Sequence, residues 1–167
     1  EAVRALLASS GRPYAMRSAG ALPSAKDEVY LVDTIGELQM FYAAADVAFV
    51  GGSLVPVGGH SLLEPALLGL PVIAGPWTQN AREVAEMLAG AGALAMVRDS
   101  DQLAARVIEC FDDPAAAQAD GAKGRGAVAA NRGAVGRVVE MVLPLLRASE
   151  SAPVSAAAAG PPSSGSR

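Results

Sequence analysis

At 167 residues the chain is long enough for one domain with a real hydrophobic core. Its formal net charge of −4 argues against a nucleic-acid partner, which needs a basic surface, and the single cysteine, Cys110, excludes an internal disulfide. No apolar run approaches the roughly 20 residues of a membrane span, and no signal-peptide pattern is present. The chain begins at Glu1, within a stretch (AVRALLASS) that reads as a helix, so it is expected to be a fragment that lacks an N-terminal portion. Tyr14–Arg17 reads as a short strand, and Val29–Val32 (VYLV) as a firmer one. A helix is expected over Gly36–Ala45, then a strand over Val47–Val50 (VAFV), a glycine-rich loop over Gly51–Gly59 and a helix over His60–Leu68. Pro71–Ala74 (PVIA) is the next strand, followed by a helix over Asn80–Ala89 and a strand over Ala93–Val97. Helices are expected at Ser100–Phe111, Pro114–Ala130 and Ala134–Leu146.

Strands that alternate with helices through short links predict an α/β fold, a Rossmann-like parallel sheet with helices on both faces. From Ser149 the composition shifts to Ala, Ser, Pro and Gly without large apolar residues. Such a segment buries too little to offset its ordering entropy. The expected organisation is a domain over 1–148 and a disordered tail over 149–167.

In such a sheet, ligands bind beyond the carboxyl ends of the strands, so three loops matter. The first, Asp33–Gln39 (DTIGELQ), follows the VYLV strand. Thr34 and Glu37 are spaced nearly as a capping box. The same helix start offers unpaired N–H groups to an anion, with the Glu37 carboxylate ready to accept hydrogen bonds from hydroxyl or amino groups. The second loop, Gly51–Pro65 (GGSLVPVGGHSLLEP), carries two Gly-Gly pairs, which allow close backbone approach and positive φ. Ser53 offers a hydroxyl; Gly59, His60 and Ser61 stand where the next helix begins, with Glu64 a turn later. The bland reading is a turn with Ser61 as an N-cap; the functional one is a phosphate cradle. The loop is neither a Walker loop nor GxGxxG, which disfavours ATP and NAD. His60 is the lone histidine and forms no multi-ligand metal site by itself. The third loop, Gly75–Asn80 (GPWTQN), has Thr78 or Asn80 as a cap, with Trp77 either covering a pocket or filling the core. Lys123, Arg125, Arg132 and Arg137 form a loose basic set, read as a solvated face.

The blocks DTIGEL, YAAADVAFVGGSL and GGHSLLEPALLGLPVIAGP, in this order and spacing, resemble the C-terminal domain of bacterial 3-deoxy-D-manno-octulosonic acid (Kdo) transferases, and NRGAV (Asn131–Val135) resembles a near-terminal segment of that family. The resemblance covers roughly residues 29–146. It implies the C-terminal half of a two-domain GT-B glycosyltransferase, with CMP-Kdo as donor and a lipid A precursor as acceptor at the cytoplasmic side of the inner membrane. It further implies that the nucleotide is bound without metal or other cofactor. Carried over by position, CMP contacts fall on Ile35, Gly36 and Glu37 and on Ser61, Leu62, Leu63 and Glu64, with Glu64 holding the ribose hydroxyls. Gly51, Gly52, Ser53, Gly59 and His60 are expected to wall the donor. Many members have Asn-Pro where this chain has Ser61-Leu62. No catalytic residue is expected in this chain, because the family's base lies in the N-terminal acceptor domain, which the sequence lacks. The rival readings are a UDP-sugar-dependent GT-B transferase or epimerase, and a nucleotide-binding module without chemistry of its own.

Overall fold

The computed structural model of the chain describes residues 1–20 and 22–131, and residues 1–129 form one compact unit. The expected helix over 134–146, the tail after Ser149, the basic residues Arg132 and Arg137, and all of the NRGAV segment beyond Asn131 lie outside the described residues.

The chain opens with α1 (Ala2–Ser10), which Gly11 ends in the left-handed conformation at φ 69°. Strand β1 (Tyr14–Met16) and a one-turn 3₁₀ helix (Arg17–Ala19) follow. β1 pairs in parallel with β2 (Val29–Leu31), Tyr14 opposite Val29 and Met16 opposite Leu31. A second, three-stranded parallel sheet contains β3 (Ala48–Phe49), β4 (Val72–Ala74) and β5 (Leu94–Met96) in that order. Helix α2 (Leu38–Ala43) leads to β3, α3 (Leu63–Leu67) to β4, and α4 (Arg82–Gly90) to β5. The described part ends in two longer helices, α5 (Ser100–Asp112) and α6 (Pro114–Asn131). The architecture is the expected one of parallel strands flanked by helices. The strand ladder, however, is divided into a two-stranded and a three-stranded sheet rather than running as one.

The core explains which strand is central. β4 is buried along its whole length, whereas β1 and β2 are only half-buried. Val72 and Ala74 pack with Val50, Leu62, Ala66, Ala85, Leu88, Ala93 and Val128. That set draws on β4, on the flanking helices α3, α4 and α6, and on the strand-end residues of the second sheet. The run PVIA has no polar alternation because both of its faces are covered. α6 carries glycines that would cost a free helix about 1 kcal/mol each relative to alanine, and contact explains one of them. A Cβ at Gly121 would sit 1.9 Å from the Gly69 carbonyl oxygen, whereas one at Gly124 would meet Ala93, Ala66 and Leu88 at ordinary contact distance. The helix lies so close to the α3–β4 turn that only glycine fits at position 121.

Helix starts are set by chemistry more than by apolar pattern. Asp99 caps α5 by accepting from the Gln102 amide at 2.8 Å, while the Gln102 side chain accepts from the Arg98 amide at 3.0 Å, a reciprocal arrangement akin to a capping box. Pro114 opens α6, where its missing N–H costs nothing. By contrast α2 and α3 begin later than their sequence pattern predicts. α2 starts at Leu38 rather than Gly36, since Gly36 sits at φ +89°, outside helical space. α3 starts at Leu63 rather than His60, behind Gly58 and Gly59, which adopt φ +103° and +72°.

Candidate functional site

All strands within each sheet run parallel, so the loops after β1, β2, β3 and β4 leave from the carboxyl edges. The first of these edges is laced together by side chains. Arg17, directly after β1, grips Glu37, in the loop after β2. Arg17 Nη2 donates to Glu37 Oε1 at 2.7 Å, and Arg17 Nε donates to Oε2 at 3.0 Å and more weakly to Oε1 at 3.3 Å. The Thr34 hydroxyl donates to Glu37 Oε2 as well. These bonds hold the Glu37 carboxyl far below its ordinary range, at about 2, with the Arg17 hydrogen bond first among the causes and Thr34 second. The same bond raises the pKa of the Arg17 guanidinium, with Tyr30 contributing. Beside this pair, Asp33 accepts from the Ser18 amide at 2.9 Å and from the Ser18 hydroxyl at 2.6 Å, bonds that lower its pKa.

Thr34 is therefore not the helix cap that its spacing with Glu37 suggests. The N-cap of α2 is Glu37 itself, without a side-chain cap bond, and Thr34 serves the carboxylate instead. Ile35, between them, is fully exposed. The sequence reading gave Arg17 only a place at the end of a short strand and no role at the site, because no local spacing links it to a residue 20 positions away.

The loop after β3 is held from within. Ser53 is fully buried; its hydroxyl donates to the Val50 carbonyl and accepts from the Gly75 amide at 2.8 Å, and its carbonyl accepts from the Trp77 amide at 2.9 Å. Ser53 thus ties the loop after β3 to the loop after β4, and its buried hydroxyl is engaged in these two bonds. Gly75 must be glycine, for a Cβ there would lie 2.2 Å from the Ser53 carbonyl oxygen. Farther along, the Gly59 amide donates to the Gly52 carbonyl at 3.0 Å. Asn80 is not the helix cap envisaged. Its side-chain amide donates to the carbonyls of Gly59 at 3.2 Å and Val57 at 3.4 Å, and its own amide donates to the Gly58 carbonyl at 3.1 Å. Thr78 precedes the 3₁₀ turn Gln79–Ala81 without a side-chain cap bond, and Trp77 is 39% exposed, so it does not fill the core.

This bracing shapes an open pocket of about 450 Å³, lined by Gly59, His60, Ser61, Leu62, Leu63, Asn80, Ala81 and Val84. Its lining unites residues expected at the donor wall (Gly59, His60) with three of the four expected in the second CMP segment. Within it Leu62 is buried while His60, Ser61 and Leu63 are exposed. Ser61 does not cap α3, whose N-cap is Leu62. Glu64 stands in the first turn of α3 and is half-buried. Its charge faces Tyr42 of α2 and, after burial, helps to raise that phenol's pKa. No hydrogen bond or ion pair engages the Glu64 carboxylate among the described residues. Gly51 is exposed and Gly52 partly so, with Gly52 at φ +73° and its Cα side close to Gly59 and His60.

Comparison with known proteins decides the family. The model of the Glycosyl transferases group 1 family matches residues 24–126, which include the edge loops after β2, β3 and β4 but not β1, Arg17 or Ser18. The chain belongs to this family. Among its relatives is the 3-deoxy-D-manno-octulosonic acid transferase of Bordetella pertussis, 39% identical over 137 residues, which are 81% of this chain and 32% of the relative. The transferase of the same name from Haemophilus influenzae is 37% identical over 131 residues, 78% of this chain and 31% of the relative. This group 1 glycosyl transferase chain thus spans about a third of the length of these two relatives. A solved structure, the C-terminal CMP-Kdo binding domain of WaaA from Acinetobacter baumannii, superposes with a TM-score of 0.72 at 31% identity, covering 75% of this chain and 66% of that one. The likeness agrees with the parallel α/β architecture expected from the sequence.

Proposed function

We propose that this chain is the nucleotide-sugar-binding part of a Kdo transferase, and that it binds CMP-Kdo at the two loop segments Ile35–Glu37 and Ser61–Glu64. The observation that carries the reading is the pocket at the carboxyl edge of the three-stranded sheet. It is lined by Ser61, Leu62 and Leu63, and the next residue in the chain, Glu64, is a half-buried carboxylate that has no hydrogen-bond or ion-pair partner among the described residues. A vicinal diol such as that of ribose supplies two donors to one such carboxylate. The relative solved as a CMP-Kdo binding domain supports the choice of nucleotide. In α3 the third residue is Pro65, which has no N–H, so the amides of Leu63 and Glu64 are the donors left for a phosphate. With α3 only five residues long, their contribution comes from these hydrogen bonds and little from a macrodipole.

In the reaction so proposed, Kdo passes from CMP-Kdo to a hydroxyl of a lipid A precursor at the cytoplasmic side of the inner membrane. CMP leaves with its phosphate gaining charge, and fixed donors aimed at that phosphate favour the step. The base that takes the acceptor proton belongs to a partner domain and not to this chain. No described helix is long and apolar enough to cross a membrane. Calorimetric titration of the chain with CMP and, separately, UDP tests the nucleotide. Binding of CMP with UDP at least tenfold weaker is expected; the reverse order would move the chain to the UDP-sugar transferases and epimerases.

A further inference from the structure

We propose that Arg17 is a positioning residue: clamped on Glu37 across the carboxyl edge of the β1–β2 sheet, it holds the Ile35–Glu37 turn in the form that receives the nucleotide, and Glu37 acts through that turn and not as a ligand to sugar or base. The inference rests on the nucleotide reading above and reassigns one of its residues.

The Glu37 carboxylate is largely committed. An ionised carboxylate offers about four acceptor positions. Here three donor hydrogens use both oxygens: Arg17 Nη2 donates to Oε1, the Thr34 hydroxyl donates to Oε2, and the single Arg17 Nε–H donates to Oε2 and is shared with Oε1. A ligand that needs two acceptors, such as a vicinal diol, would have to displace at least one of these charge-assisted or intraloop bonds. Glu64, by contrast, is unengaged among the described residues and needs no such exchange.

The clamp also has a partner. The next residue, Ser18, holds Asp33 through both its amide and its hydroxyl. Two successive residues at the end of β1 thereby fasten both ends of the loop from Asp33 to Glu37. Little else fixes that loop. Ile35 is fully exposed, nothing lies within 4 Å of a Cβ placed on Gly36, and the following helix α2 has no buried residue. Where packing does not determine a loop, side-chain bonds must, or the ligand has to order it on binding and loses affinity by doing so. The parallel register of β1 and β2 brings Arg17 within reach of a residue 20 positions later.

The test is a double-mutant cycle in CMP affinity, measured by calorimetry on the 167-residue chain with Arg17→Met, Glu37→Gln and both together, each confirmed folded by circular dichroism at the temperature of titration. Each single change is expected to weaken CMP roughly three- to tenfold, since the turn must then be ordered on binding. The double variant should be no weaker than the poorer single one. Arg17→Lys, which keeps the charge but loses the forked geometry, should fall between Met and the unsubstituted chain. In the free protein, hydrogen exchange at residues 35–38 should quicken in Arg17→Met while that at Val72–Ala74 stays unchanged. If Arg17→Met leaves CMP affinity intact while Glu37→Gln lowers it, or if the two losses add, Glu37 touches the ligand directly and the inference is wrong. If the unsubstituted chain does not bind CMP at all, the nucleotide reading itself fails, and this inference with it.

Discussion

The two carboxylates of the candidate site differ in what they already hold. Glu64 has its acceptor capacity free among the described residues, so Glu64→Gln should leave folding nearly intact and weaken CMP by roughly ten- to a hundredfold, the consequence of losing charge-assisted bonds worth about 1.5–3 kcal/mol. Calorimetry with thermal melts as control checks it; unchanged affinity in a folded variant would reduce Glu64 to a helix-start residue. Glu37 is instead the acid-sensitive member. Its folded pKa, about 2, lies below its ordinary value of 4.5. A depressed carboxylate stabilises the fold fully above its unfolded pKa, and that contribution disappears as pH falls through the folded value. The melting-temperature difference between the unsubstituted chain and Glu37→Gln should therefore be constant above about pH 5 and shrink as the pH is lowered from 4.5 towards 2. A difference that stays flat across this window would mean that the Arg17–Glu37 bond does not persist in solution. The pair was illegible in the sequence for a physical reason: Glu37 reads as a capping-box member from its distance to Thr34, while Arg17 enters only through the β1–β2 register.

At the scale of elements, the strands were the legible part. PVIA and the residues around Leu94–Met96 stand where their apolar runs place them, and α5 and α6 end within one residue of their expected bounds. The beginnings of α2 and α3 were not legible, because glycine before a helix reads equally as a first turn or as a left-handed break. Gly36 and Gly59 turned out to be breaks. Likewise Ser53 read as a hydroxyl offered to a ligand, since nothing local shows that it will meet Gly75, 22 residues on. The seam between those two residues makes a stability prediction. Ser53→Ala leaves the buried Gly75 amide without its acceptor, which costs about 1–3 kcal/mol. Gly75→Ala should cost more, since its Cβ meets backbone and not a yielding side chain. Denaturant unfolding of both variants checks the order; a Gly75→Ala protein as stable as the unsubstituted one would mean that the two loops separate readily.

For the molecule as a whole, the division of strands into two sheets sets how it opens. The three-stranded sheet owns the core: β4 is buried throughout, and its neighbours α3, α4 and α6 supply Ala66, Leu88 and Val128 to the same cluster. The β1–β2 sheet has only half-buried strands, and α1 and α2 beside it in sequence have no buried residue. Its fastening is polar, through the part-buried Arg17–Glu37 pair and the exposed Ser18–Asp33 pair, and bonds of this kind within reach of solvent protect weakly. Native-state hydrogen exchange should therefore show two levels. The amides of Val72–Ala74 should exchange only by global unfolding, and those of Tyr14–Met16 and Val29–Leu31 by a cheaper, sub-global opening that also frees the Asp33–Glu37 loop. If CMP bridges the loop after β2 and the pocket beside α3, saturating nucleotide should raise protection at β1 and β2 more than at β4, because a ligand stabilises by mass action whichever opening destroys its site. Equal protection of both sheets without ligand would show one cooperative unit. A rise confined to the pocket residues would show that the β1–β2 edge takes no part in binding.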